Sequence, residues 1–269
     1  MYNTETIMIL DDIAAETRRR VERLKREGYY GKIHEEIQHF RPSTADAFYK
    51  NLAKPGLSFI CELKKASPSK GIISEDFPYE AIGKEYEAAG AAAISCLTEP
   101  KWFKGDMDYL TRIAKEVHIP VLRKDFIIDA CQIEEAALGG ASAILLIAAI
   151  LSDEEIRNFL SLAQNLGLGV LCEAHDEKEM ERMLQAGAWI VGVNNRDLRD
   201  FTIKLENTEK LAKLVPDDVL LVSESGMMSP DIVHRMHEAG ADAVLIGEML
   251  MRAENRGALL RKMIEENKG

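Results

Sequence analysis

One phrase returns four times along this chain: an amphipathic helical stretch, a glycine, then an almost unbroken apolar run of strand length. The copies are AAGAAAISCL around Gly90, ALGGASAILLI around Gly140, LQAGAWIVGVN around Gly187 and HEAGADAVLIG around Gly240, with the glycines 50, 47 and 53 residues apart. Glycine adopts the left-handed conformation that ends a helix at little cost, so each copy reads as a helix running into a buried strand. LSFICEL precedes the first copy, and IPVLRKD, LGLGVLCEAHD and DDVLLVSES lie between the copies, further strand-like runs set off by helix-length segments. Each period therefore holds two βα units.

Counting both sets predicts eight strands, near 57–65, 91–97, 119–124, 141–148, 168–173, 188–193, 218–224 and 241–246. Strands apolar on both faces that alternate with helices belong in a parallel sheet with right-handed crossovers. An open doubly wound sheet could also hold eight strands, but it gives no reason for an even repeat. A closed (β/α)8 barrel does. Such barrels commonly fill about 250 residues as one domain. The expectation is an α/β fold: a single (β/α)8 domain over 1–269, with 1–45 forming an N-terminal helical extension over the catalytic face. One helix is predicted there, Asp11 to Glu27, and its basic run Arg18-Arg19-Arg20 reads as a solvated face.

Composition narrows the function classes. The net charge is −11 with 46% hydrophobic and 6% aromatic residues, an ordinary globular balance. Duplex-binding proteins usually carry a basic face, so the acidic balance argues against a nucleic-acid partner. The four cysteines, Cys61, Cys96, Cys131 and Cys172, form no C-x-x-C pair, which suggests neither a zinc site nor a disulfide framework. They read as structural residues of a reducing compartment. The N-terminus lacks the apolar core of a signal peptide, and the longest apolar stretch, Ala141 to Leu151, is far short of the roughly 20 residues of a membrane helix. The expectation is a soluble cytoplasmic protein with no membrane partner.

In a barrel, catalytic groups project from the C-terminal ends of the strands. Glu62 and Lys64 end the first strand two residues apart, which puts both on one face, so that both can turn toward the barrel axis. Burying charge costs several kcal/mol unless it is well paired, so function is the better reason for keeping this pair. Lys124 on the third strand and Glu173 on the fifth add a second acid/base pair at the same mouth. Ser225-Gly226 and Gly247 close the last two strands, where backbone N–H groups at helix starts often hold a phosphate. These glycines could equally make tight turns, and Asn194-Asn195 could be turn residues alone. Ser229-Pro230 reads as a helix N-cap and first turn. His175 lies two residues after Glu173 and could face the same way as a metal ligand, but no third ligand has a recognisable spacing.

Taken as a set, CELKKASPSKG (61–71), LRKDFIID (122–129), LCEAHD (171–176), GVNNRDL (192–198), SESGM (223–227) and LIGEMLM (245–251) resemble the indole-3-glycerol phosphate synthase family. The resemblance spans nearly the whole chain. It implies a reaction in which 1-(2-carboxyphenylamino)-1-deoxyribulose 5-phosphate closes a ring and loses CO2 and water, with no redox step, metal or cofactor. It also implies roles: Lys124 as general acid, Glu173 as general base, Lys64 as second acid and substrate-binding cation, and Glu62 orienting Lys124. Ser67 and Asn194 would hold polar substrate groups, Arg196 the carboxylate, and Phe126 and Leu245 would wall the aromatic ring. Ser225, Gly226, Gly247 and Glu248 match the phosphate end. Many relatives carry a small hydroxyl residue where this chain has Glu248, so only its backbone N–H is expected to serve.

The implied partner is a small phosphorylated molecule, and the implied state a monomer. Another phosphate-binding barrel isomerase, such as phosphoribosylanthranilate isomerase, would use a Cys/Asp acid/base pair rather than Lys and Glu. A non-catalytic barrel that binds a phosphorylated ligand would not need two acid/base pairs.

Overall fold

The computed structural model describes residues 9–42, 47–197 and 201–268; the expectations for 1–8, 43–45 and Leu198 fall outside them. Eight parallel strands close into a barrel: β1 Ser58–Leu63, β2 Ala93–Leu97, β3 Val121–Lys124, β4 Ala143–Ile147, β5 Gly169–Ala174, β6 Ile190–Asn194, β7 Leu220–Glu224 and β8 Ala243–Ile246. Closure is between the first and last strands, where Ile60 pairs with Leu245 on one side and Ala93 on the other. This is the (β/α)8 fold that the repeat implies. The four repeat glycines have φ between 86° and 100°, the left-handed helix ends that deliver the chain into β2, β4, β6 and β8.

Alternation along each strand divides the core in two. Odd-numbered β1 residues such as Cys61 and Leu63 face the helices, while Ile60 and its counterparts Ala93, Leu122, Leu145, Leu171, Ile190, Val222 and Leu245 fill the barrel axis. All four cysteines are buried and unpaired. Helix starts are capped as the sequence suggests: Ser229 accepts from the Ile232 N–H with Pro230 at the first helical position, and Asp129 and Asp176 accept from the N–H groups of Cys131 and Glu179. The Ser-x-x-Glu sequence at Ser152 forms a full capping box with Glu155.

The N-terminal segment holds more than the single helix expected. Helix α1 spans Ile9–Arg26, α2 Tyr29–Ile37 and α3 Ala47–Leu52. Ile9 and Ile13 of α1 face the barrel mouth. At the opposite end, Phe48 and Leu52 of α3 are fully buried, and Phe48 packs against Gly169, the first residue of β5. Burying two apolar side chains of this size contributes about 1.5–3 kcal/mol each and plugs the floor of the barrel. Helix α2 lies along the helix Ala130–Leu138, with the Tyr29 hydroxyl donating to Glu135 at 2.8 Å.

The solvated reading of Arg18-Arg19-Arg20 needs correction at its last member. Arg18 and Arg19 are exposed, but Arg20 lies on the α1 face turned to the barrel and donates to both oxygens of Asp125 at 3.1 Å. Asp125 is buried, and its other partners are Thr98, Arg123 and the backbone N–H of Phe126. Arg123 points outward from β3, fully buried, and reaches the Gln132 carbonyl and Glu135. Of the polar run Arg123-Lys124-Asp125, only Lys124 has the inward parity of Leu122.

Candidate active site

Every residue singled out for the site lines one cavity at the C-terminal end of the barrel: Glu62, Lys64, Ser67, Lys124, Phe126, Glu173, Asn194, Arg196, Ser225, Gly226, Leu245, Gly247 and Glu248. Its volume is about 1080 Å³, including open space at the rim. Below it, the inward residues Leu122, Leu171 and Val222 close the barrel axis, so the cavity is a cup.

The floor of the cup is ionic. The Lys124 ammonium lies 3.2 Å from Glu173 Oε2 and 3.2 Å from Glu224 Oε2. Lys64 pairs with Glu62 on its own strand, the outcome of their two-residue spacing. Glu62 therefore touches Lys64 and acts on Lys124 through charge alone, a difference from the orienting contact that the resemblance implied. Burial disfavours the Lys124 cation, but the carboxylates of Glu224, Glu173 and Glu62 outweigh it and hold its proton far more tightly than an ordinary lysine does.

The two carboxylates beside Lys124 are pushed apart. Burial raises Glu173, yet the charge of Lys124, the charge of His175 and the amide of Asn194 prevail, and the group is held below the usual carboxylate range. Asn194 Nδ2 donates to Glu173 Oε1 at 3.2 Å. Glu224 is equally buried, and burial together with the charges of Glu173 and Glu62 outweighs the opposing charge of Lys124, so it is pushed up to about 7. Separated acid strengths within one cluster are the condition for giving one group a basic role and another an acidic one.

Glu224 is the main residue that the sequence reading missed. It shares the inward parity of Leu220 and Val222, the same period-two signal that revealed Glu62 and Lys64. Two glycines make room for these acids. A Cβ on Gly192 would sit 2.1 Å from Glu224 Oε1, and one on Gly247 would sit 2.7 Å from Glu62 Oε1. Gly247 thus has a packing reason beyond any approach of phosphate.

The upper walls separate an apolar side from a polar one. Phe103 and Phe126 pack with ring centroids 6.1 Å apart, joined by Leu97, Leu145 and Ile147 from the strands and Ile9 and Ile13 from α1. Phe103 was not anticipated; it is placed by Glu99, whose carboxylate accepts the N–H groups of Lys101, Trp102 and Phe103. Across the cup, Ser67 belongs to a short ribbon, Ala66–Ser67 paired with Gly71–Ile72. The backbone turns left-handed at Ser225 (φ 64°) and Gly226 (φ 84°), an uncommon conformation for a serine. A Cβ on Gly226 would collide with Ile203 at 2.7 Å. The Glu248 carboxylate is drawn back to Arg252 at 3.0 Å. Arg196 is fixed by a backbone bridge to Ile203 and donates to the Phe201 carbonyl.

The paired asparagines have different tasks. Asn194 faces Glu173, whereas Asn195 is fully buried and ties Ser223, Thr208 and the Glu224 and Ser225 carbonyls together. His175 approaches Glu173, with Nε2 3.4 Å from Oε1. Among the described residues no group of three or more His, Cys, Asp or Glu is arranged to hold a metal, and no helix is long and apolar enough to cross a membrane.

Comparison with known proteins places this geometry. The chain is 50% identical over 256 residues to the indole-3-glycerol phosphate synthase of Ruminiclostridium cellulolyticum, covering 95% of this chain and 98% of that protein. It is 49% identical over 256 residues to the enzyme of the same name from Endomicrobium trichonymphae, covering 95% and 99%. Among solved structures, 3-hexulose-6-phosphate synthase from Salmonella typhimurium superposes with a TM-score of 0.64 at 14% identity, over 78% of this chain and 97% of that one, a likeness of fold alone. The sequence model of indole-3-glycerol phosphate synthase matches residues 10–263, and with that span and these relatives the chain belongs to the indole-3-glycerol phosphate synthase family.

Proposed function

We propose that this chain converts 1-(2-carboxyphenylamino)-1-deoxyribulose 5-phosphate to indole-3-glycerol phosphate, CO2 and water. The observation that carries the reading is Lys124 held between Glu173 and Glu224 at the floor of a cup with an aromatic wall. The carboxylate-bearing ring carbon attacks the ketone carbon while Lys124 gives its proton to the ketone oxygen, leaving a hydroxyl. Loss of CO2 returns an electron pair to the ring and restores its aromaticity. Lys64 then protonates the departing hydroxyl, Glu173 takes the ring-side proton, and the new double bond completes the indole.

Phe126 and Leu245, with Phe103, would sandwich the aromatic ring, and Arg196 would pair with its carboxylate. Ser67 and Asn194 would hold the sugar hydroxyls. Backbone N–H groups at Ser225, Gly226, Gly247 and Glu248 would take the phosphate, since the Glu248 side chain is occupied by Arg252. One chain supplies all of these groups, and the reading is of a cytoplasmic monomer, one barrel domain whose mouth helix α1 serves through Ile9 and Ile13.

Incubation with that substrate should give a rise in indole fluorescence. No rise there, together with isomerisation of phosphoribosylanthranilate, would replace this reading with that of a related barrel isomerase.

A further inference from the structure

His175 lies outside the lining of the cup, yet it touches the residue to which we assign the general-base role. Its placement follows from the seven residues that end β5 and open the next helix, Glu173-Ala-His175-Asp176-Glu-Lys-Glu179. Asp176 is the N-cap of that nine-residue helix, Glu177–Gln185, and accepts the Glu179 N–H at 2.9 Å. Fixed in the first turn, Glu179 turns its carboxylate back to accept the His175 backbone N–H at 2.8 Å, and the same oxygen lies 3.0 Å from His175 Nδ1. A carboxylate can only accept, so Nδ1 carries a proton. The ring is thereby aimed, and Nε2 comes within 3.4 Å of Glu173 Oε1. That nitrogen is buried and makes no hydrogen bond, so the carboxylate of Glu173 meets it as an ion-pair partner.

We propose that His175, anchored by Glu179, is a positioning residue for Glu173: it engages Oε1 so that Oε2 is the oxygen presented to Lys124 and the reacting atoms. This rests on the function proposed above. The division of Glu173 supports it, because Oε1 meets His175 and Asn194 while Oε2 meets Lys124. A ring between two carboxylates is best accommodated as an imidazolium. Burial opposes the charge, but the hydrogen bond to Glu179 and the charge of Glu173 prevail, so His175 holds its proton above the usual histidine range. The groups facing Glu173 are then Lys124 from β3, Asn194 from β6, Glu224 from β7 and His175 from the end of its own strand. His175 faces Glu173, Glu179 and Glu224. Lys124 and His175 are the two cations among the three carboxylates Glu173, Glu179 and Glu224, and without His175 one cation would remain to keep a buried Glu173 charged beside Glu224.

The test is the pH profile of kcat and KM for the wild type, His175→Gln and Glu179→Gln. Removing the imidazolium should raise the acid limb of kcat by about one pH unit, a tenfold loss of turnover on that limb, with a smaller change on the plateau. KM should stay within about twofold, because His175 does not line the cup and proton transfer is what it serves. Glu179→Gln keeps a hydrogen-bond acceptor for Nδ1 and removes the charge, so its limb should move in the same direction by less. Carbon-13 NMR titration of the Glu173 carboxyl in the unliganded proteins reads the same shift without turnover, and so separates this proposal from the assigned reaction. Acid limbs and Glu173 titrations that superimpose on the wild type's, whatever happens to thermal stability, would reduce His175 to a structural residue and overturn the proposal. If His175→Gln does not fold, the Glu179→Gln titration decides alone.

Discussion

Arg20 and Asp125 stand 105 residues apart in sequence and meet in a two-pronged ion pair, with one guanidinium nitrogen 3.1 Å from each carboxylate oxygen. Asp125 directly follows Lys124, so the pair ties helix α1, which roofs the cup through Ile9 and Ile13, to the strand end that carries the central cation. The roof and the floor of the site are thereby referenced to one point.

Arg20→Ala should leave Asp125 with Arg123 and Thr98, which limits the loss of stability to about 1–3 kcal/mol. In a chain of this length that corresponds to a fall in Tm of about 2–4 °C per kcal/mol. Because the roof loosens, KM should rise more than kcat falls. Thermal scans and steady-state kinetics check both parts, and an unchanged KM would mean that α1 does not help to form the substrate cup.

Lys124→Met removes the proton donor while keeping the length of the side chain. Turnover should drop by about 10²–10⁴ with substrate affinity within about tenfold, as measured by single-turnover kinetics and substrate titration. Near-normal kcat would transfer the acid role in both proton-donating steps to Lys64.

The glycine beside Glu62 offers a sharper distinction. Gly247→Ala would force a Cβ to within 2.7 Å of Glu62 Oε1, displacing that carboxylate and the Lys64 paired with it. A misplacement of about 1 Å at reacting groups can cost roughly 10²-fold, so kcat should fall along with affinity. A rise in KM with kcat unchanged would show that the glycine serves phosphate approach only.

The closed barrel was legible because four copies of one helix-glycine-strand phrase have few other solutions, and each expected strand lies within one residue of the observed span at its C-terminal end or runs past it. Glu62 and Lys64 were legible through strand parity, and Lys124 and Glu173 through their place at the C-terminal ends of strands, both local rules. Glu224 obeys the same rule but sits in Ser223-Glu224-Ser225-Gly226, where the glycine drew attention to phosphate instead. The partner of Arg20 was not legible, since nothing local in α1 points to a residue 105 positions away. Helix α2 lacked an N-terminal capping side chain to announce it, as its cap is Gly28.

Glu224 gives a prediction for stability against pH. Its carboxyl is pushed up from the ordinary 4.5 to about 7 by burial and by Glu173. The folded chain then holds this proton more tightly than the unfolded chain, so the group favours folding below about 4.5 and loses that contribution as the pH climbs toward 7. Glu224→Gln cannot ionise. Relative to the wild type its Tm should rise by a few degrees at pH 8 and be nearly unchanged at pH 4.5, and a difference that is flat across this range would contradict the raised acid.

The central claim is that the Lys124 and Glu173 pair at the floor of this cup builds an indole ring from 1-(2-carboxyphenylamino)-1-deoxyribulose 5-phosphate. The most direct measurement is rapid-quench mass spectrometry of wild type and Glu173→Gln mixed with that substrate. The account predicts one indole-3-glycerol phosphate and one CO2 per substrate from the wild type, and from Glu173→Gln a decarboxylated, still hydrated intermediate that accumulates before slow loss of water. Wild-type protein that leaves the substrate unchanged, or Glu173→Gln that dehydrates at the wild-type rate, would contradict it.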